Sequence, residues 1–177
     1  MSTPVLADCA GLWRRTLLIE SDGSRDTGTD VRWLQGATGY VDSRGFAGTL
    51  HQHGDTFEWH RDVDLKPPGP FPDAGSIRWD GATLIETGVH ENYVEHWVRD
   101  AGSSEPCGAL FLTAPGGGAG LLVRVGGMFG WAGAGDVVID AVGASRWNAL
   151  VIDTASGRVQ ANGVRWVVGS SEGNVNP

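Results

Sequence analysis

The feature that most constrains this chain is a rhythm. Short runs of alternating apolar and polar residues are broken every few positions by Gly, Asp, Asn or Pro. No segment sustains the 3.6-residue repeat of an amphipathic helix, whereas period-two runs bounded by turn residues are the signature of an all-β sandwich or barrel. The runs fall at residues 12–19, 30–35, 39–46, 57–65, 76–79, 83–88, 93–99, 109–113, 121–125, 137–139, 148–153 and 163–168. Turns are marked by Ser21-Asp22-Gly23, His53-Gly54-Asp55, Asp80-Gly81 and Ala155-Ser156-Gly157. Four prolines between Lys66 and Asp73 exclude a central strand there, so this stretch reads as an ordered loop, a lid or a crossover. The glycine-rich stretch 126–135 fits no assignment. Strands this numerous with no helices favour closure, because closure removes exposed edges. The expected fold is therefore all-β, a closed antiparallel barrel of roughly eight to ten strands with an internal pocket. A two-sheet sandwich is the alternative. The barrel is expected over 11–168, with an N-terminal extension 1–10 and a polar, frayed tail 169–177.

Charge narrows the function classes. The 177 residues carry a formal net charge of −8, and Lys66 is the one lysine. Beyond Arg14-Arg15 there is no basic cluster, which argues against nucleic acid as a partner. No stretch reaches the ~18–20 apolar residues of a membrane span. The first ten residues lack a basic and then apolar leader, so a cytoplasmic location is expected. That compartment favours two free thiols at Cys9 and Cys107 over a disulfide. A homodimer is left open.

Alternation along each run sorts side chains onto two faces. Trp13, Leu17 and Ile19 share a face with Arg15, and Val31 with Trp33 and Gln35. Tyr40 and Phe46 share one with Asp42 and Arg44. Phe57, Trp59, Val63 and Leu65 share one with Arg61, leaving His60, Asp62 and Asp64 toward solvent. Leu84 accompanies Glu86, and Tyr93 and Trp97 accompany Glu95 and Arg99. The aromatic face thus repeatedly carries a charge. Buried charges must pair or meet a ligand, and aromatic walls with a few convergent polar groups are what small-molecule pockets are made of. The competing reading is that these ions only close the barrel ends.

The Gly11-Leu12-Trp13 that opens the first strand resembles the Gly-x-Trp of lipocalins and other calycin barrels. The run from Gly11 to Leu18, then Arg32-Trp33-Leu34-Gln35 and Tyr40-Val41-Asp42-Ser43-Arg44, resembles the lipocalin-like family known from a fungal casein-kinase-interacting protein and its bacterial relatives. The resemblance implies a barrel whose tryptophan plugs the closed end beneath an arginine from late in the chain, for which Arg165 is the best match. It implies no shared activity.

Two function classes follow. In the first, a barrel cavity binds a small hydrophobic or aromatic molecule, with a carboxylate on it if Arg15, Arg44 and Arg61 supply a positive end; Trp33, Trp59, Tyr93 and Trp97 form the walls, and Tyr40 is a further ligand-binding residue. In the second, the chain is a cofactor-independent isomerase, cyclase, lyase or hydratase. Glu95 or Glu86 would be its general base, with Tyr93 and an arginine steadying the developing negative charge. A third reading is a protein-docking module with an acidic outer face that includes Asp62 and Asp64. His51, His53 and His60 invite a metal, and His90 or His96 a haem, but no carboxylate at a convincing spacing completes a set, so neither metal nor cofactor is expected. The absence of Gly-x-Ser-x-Gly and of a strand–Gly-loop–helix setting disfavours covalent catalysis and nucleotide binding.

Overall fold

The computed structural model describes residues 2–176; Met1 and Pro177, the outermost residues of the expected extension and tail, lie outside them. The first half of the chain closes on itself. Its strands are β1 (Gly11–Ile19), β2 (Arg25–Asp26), β3 (Arg32–Gln35), β4 (Gly39–Asp42), β5 (Phe46–His53), β6 (Thr56–Asp64), β7 (Ala74–Asp80), β8 (Thr83–Gly88) and β9 (Val94–Arg99). Each pairs antiparallel with the next in the ring, and β1 pairs with both β3 and β9. β1 and β3 to β9 therefore form a closed eight-strand barrel, and β2 only extends β1 into a hairpin. Eight strands leave an interior that side chains nearly fill, with room for one small ligand.

The second half is a separate seven-stranded sheet. It comprises β10 (Cys107–Thr113), β11 (Ala119–Val125), β12 (Met128–Gly133), β13 (Asp136–Ala141), β14 (Val151–Asp153), β15 (Arg158–Ala161) and β16 (Val164–Gly173) in the order β13-β12-β11-β10-β16-β15-β14. One helical turn, α1 (Ser145–Asn148), lies between β13 and β14. The single barrel expected over 11–168 is thus a barrel over 11–99 followed by a half-barrel sheet. Alternation marks a strand but does not say which strand it pairs with. The expected frayed tail is corrected as well: β16 runs to Gly173 along β10. The run at 39–46 is two strands joined by a turn at Ser43-Arg44-Gly45, and the unassigned 126–135 contains β12. Among the described residues no helix is long and apolar enough to cross a membrane. Cys9 and Cys107 are unpaired.

Three cores hold these layers. The barrel interior is an aromatic column that includes Trp13, Trp33, Tyr40, Phe57, Trp59 and Trp97. Outside it, Leu12, Leu34, Val41 and Ala47 on the barrel wall meet Ala109, Leu121, Val123 and Ala132 of the second sheet. The concave face of that sheet is filled by Phe129, Trp131, Trp147 and Trp166. Glu172 ties the halves together, accepting hydrogen bonds from the backbone N–H groups of Thr38 and Gly39 at 3.1 and 3.0 Å.

Where Gly11-Leu12-Trp13 opens β1, an arginine covers the tryptophan, and it is Arg99 rather than the expected Arg165. Trp13 Nε1 donates to the Cys9 carbonyl at 2.7 Å, beneath a 3₁₀ turn at Leu6–Cys9. Arg99 lies 4.8 Å from the Trp13 ring centroid and donates to the carbonyls of Asp8 and Ala10. Arg165 is exposed on β16, opposite Gln160, and cannot serve. Gly11 is required here: its φ is +147°, and a Cβ would sit 2.6 Å from Arg99 Cδ.

Two bulges decide which residues face inward. Thr16 has no partner on β9, so Arg15 pairs with Trp97 but Leu17 with His96. Asp62 is likewise unpaired between Gly48↔Arg61 and Ala47↔Val63. One extra residue reverses every face beyond it. Leu18, not Leu17 or Ile19, therefore reaches the interior. Val63 turns out to pack against the second sheet, Leu65 is exposed, and Asp64 turns in to meet Arg61. Gly48 makes the second bulge possible, since a Cβ there would collide with the His60 carbonyl oxygen.

Candidate functional site

Above the Trp13 plug, the barrel interior opens into a cavity of about 340 Å³. Nine of the ten residues expected at a site line it: Arg15, Trp33, Arg44, Trp59, Arg61, Glu86, Tyr93, Glu95 and Trp97. The tenth, Tyr40, does not. It is fully buried, edge-on to Phe46 with centroids 6.1 Å apart, and donates its hydroxyl to the His60 carbonyl at 3.1 Å. Tyr40 is core.

The apolar wall is built from tryptophans on three strands. Trp33 stacks on the Trp13 plug at 5.7 Å, and Trp59 and Trp97 stand edge-on to Trp33 at 5.6 and 5.7 Å. Trp33 Nε1 is satisfied by Gln35 at 2.9 Å. Trp97 Nε1 is buried with no hydrogen-bond partner among the described residues.

The polar wall centres on two carboxyls placed opposite each other by the β8–β9 register, Glu86↔Glu95. Both are buried, with 5% of each residue exposed. Glu95 Oε1 lies 3.6 Å from Arg15 Nη1 and 3.3 Å from Arg44 Nη1, whereas Oε2 is buried with no partner among the described residues. Glu86 Oε2 accepts a 2.6 Å hydrogen bond from the Tyr93 hydroxyl. Two glycines on adjacent strands clear the space for this pair. A Cβ at Gly75 would lie 2.6 Å from Glu86 Cγ, and one at Gly88 would lie 2.6 Å from Tyr93 Cε1.

Burial, then the charges of Glu95 and Asp73, push the Glu86 carboxyl up to about 8, against the pull of the Tyr93 hydrogen bond and of Arg44. Burial also raises Glu95, although Arg44 and Arg15 oppose it. Opposed carboxyls do not both ionise readily. Glu86, which has the hydroxyl for a neighbour, keeps its proton at neutral pH; Glu95 is drawn toward its charged form by the two guanidinium groups beside it, against the burial that raises its pKa. Burial and then Glu86 raise the Tyr93 phenol, so it stays protonated.

The arginines do not offer a free positive end. Arg44 clamps Asp42, with Nε to Oδ1 at 3.0 Å and Nη2 to Oδ2 at 2.9 Å. Burial disfavours its charge, but Asp42 and Glu95 outweigh that and raise its pKa. Arg15 lies between Asp26 and Glu95, at 3.5 and 3.6 Å. Arg61 lies 3.6 Å over the Phe46 ring and bonds Asp64 at 3.0 Å and Asp73 at 2.7 Å. The lining holds three arginines against six acidic residues, Glu20, Asp42, Asp73, Glu86, Glu91 and Glu95.

Some lining residues were not legible. Leu18 enters through the Thr16 bulge, and Asp73 arrives from the far end of the Pro-rich loop. The Asp42–Arg44 clamp had a readable signal, since Asp-Ser-Arg-Gly is a turn sequence and Asp42 Oδ1 accepts the Arg44 N–H at 2.8 Å. The Pro-rich segment joins β6 to β7 where their ladder is only three pairs long. A second hollow of about 710 Å³ beneath it shares Trp59, Arg61, Asp73 and Glu91 with the cavity. The histidines line no part of the cavity. On the outer wall, His51 stacks on His60 at 4.0 Å and its Nε2 meets Thr49 Oγ1, while His60 Nε2 meets Glu58 at 3.0 Å. His90 stacks on Phe71, and His96 pairs with Leu17 on β1.

No family model and no curated protein matches this chain. A solved structure of an uncharacterized protein from Saccharomyces cerevisiae is similar, with a TM-score of 0.57 over 91% of this chain and 98% of that one. At 14% identity the likeness is one of fold.

Proposed function

We propose that this protein binds a small aromatic molecule in the barrel cavity, using its interior as lipocalin-like barrels do. The observation that carries the reading is the pair of unmet polar atoms, Glu95 Oε2 and Trp97 Nε1, on two side chains that line a hollow of about 340 Å³. Buried polar groups are normally satisfied, and leaving one unmet costs roughly 1–3 kcal/mol. A ligand that gives a donor to Glu95 and an acceptor to Trp97 removes both deficits. The volume is at the small end of ligand pockets, and Trp33, Trp59 and Trp97 supply aromatic walls.

The test follows the indole N–H resonances during titration with small aromatic heterocycles such as indole and benzimidazole. A saturable shift of the Trp97 resonance is expected, with none at Trp166 in the core of the second sheet. Equal shifts at both, or none at millimolar probe, refute the reading.

One observation favours a second, enzymatic reading. Glu86, protonated and bonded to Tyr93, faces Glu95, which two guanidinium groups flank, so an acid and a candidate base share one hollow. A cofactor-independent isomerase, lyase, cyclase or hydratase would take its proton with Glu95 and return one from Glu86. Glu95→Gln would then abolish turnover while near-UV circular dichroism stays unchanged.

A further inference from the structure

We infer that the molecule this cavity takes is a small organic cation, an amidinium or protonated amine on an aromatic ring, held by Glu95 and Glu86 against the tryptophan walls. The inference rests on the pocket-binding reading and adds the charge of the ligand.

The arginines cannot recognise an anion without breaking contacts they already make. Arg44 is spent on Asp42 in a two-point clamp, Arg61 on Asp64 and Asp73, and Arg15 on Asp26 and Glu95. What is left over is acceptor capacity. Glu95 uses Oε1 for both of its arginines and has no partner for Oε2 among the described residues, and its side chain is only 7% exposed. An entering carboxylate would meet the Glu95 and Glu86 carboxyl groups, which line the cavity, with no free cation to offset them. An entering amidinium brings N–H donors and a positive charge to the same place. Trp33 and Trp59 line the cavity, and an aromatic ring attracts a cation more strongly in a desolvated site, whereas the Trp97 ring already carries Arg44 5.7 Å from its centroid. The chain's net charge of −8 adds long-range attraction of the same sign.

Glu86 gives the site a proton to exchange. The groups facing it are Glu95 from β9, Tyr93 from the loop before β9, Asp73 from the approach to β7, and Arg44 from the turn after β4. A cation bound against Glu86 replaces the proton there, so it binds more tightly as that proton is lost.

Benzamidine, benzamide and benzoate share one shape and differ in charge, which makes them the probes. Titrated into the full-length protein and followed by calorimetry and the Trp97 indole N–H, benzamidinium is expected to bind at least about tenfold more tightly than either analogue. Its affinity should rise from pH 7 to pH 9. In Glu86→Gln, which keeps the shape and loses the charge, the benzamidinium advantage should shrink about tenfold while benzamide is unaffected. If the probes bind but benzoate or benzamide is preferred, or the affinity is flat with pH, the cation inference is overturned and cavity binding stands. If none of the three shifts the Trp97 resonance at millimolar concentration, both are overturned.

Discussion

Replacing Glu86 by glutamine tests whether a buried carboxyl sits where the cavity geometry puts it, and the effect can be sized. In an unfolded chain Glu86 titrates near 4.5, and in the fold it is pushed up to about 8. Between those values the folded protein holds a proton that the unfolded chain has released. Stability therefore falls as pH rises through this window and levels off above it. At about 1.4 kcal/mol per pH unit the limit is roughly 5 kcal/mol. Water entering the cavity and movement of Arg44 toward the new charge both reduce it, so we expect about 2–3 kcal/mol. The substituted glutamine keeps an acceptor for the Tyr93 hydroxyl and still fits over Gly75, so the variant should fold. Urea unfolding of both proteins at pH 5, 7 and 9 reads the effect as a difference, which reports Glu86 together with the response of Glu95, the carboxyl coupled to it. The wild type should lose stability relative to Glu86→Gln from pH 5 to pH 9 and be the weaker protein at pH 9. Parallel stability profiles, or a wild type that gains on the variant, would show that the carboxyl is solvated and that the paired-carboxyl reasoning is wrong.

Two further predictions concern the frame that positions the site. Gly48→Ala forces a methyl against the His60 carbonyl oxygen at the Asp62 bulge, and should cost roughly 3 kcal/mol of unfolding free energy in urea. Arg99→Met strips the cation from Trp13 and two donors from the Asp8 and Ala10 carbonyls, costing about 2 kcal/mol, whereas Arg165→Met on the exposed face of β16 should stay within about 0.5 kcal/mol; equal losses in the two variants would contradict the assignment of Arg99 to the plug.

Much of the cavity was readable because its residues lie on one side of a bulge or on a strand without one. Glu86, Glu95 and Trp97 belong to β8 and β9, whose parity runs unbroken against each other, and Arg15 and Trp13 precede the Thr16 bulge. The same counting failed past it, where Leu17 and Ile19 gave way to Leu18, and again past Asp62. A bulge leaves little trace in local composition, since its cause is a close approach between strands. Gly48 is the visible half of that approach, and it reads as an ordinary strand glycine until His60 is placed beside it.

By itself the chain determined that it would be all-β, where most of its turns fall, and that tryptophans and ionised groups would share one face. Those are local matters of alternation, glycine and proline. Only the tertiary structure decided that the ring closes after eight strands, that residues 107–173 form a second sheet, and that Arg99 rather than Arg165 covers Trp13. It alone decided which carboxylate each arginine meets. Pairing between distant strands depends on register and on the volumes that facing side chains fill, and neither is written in the spacing of residues along one strand.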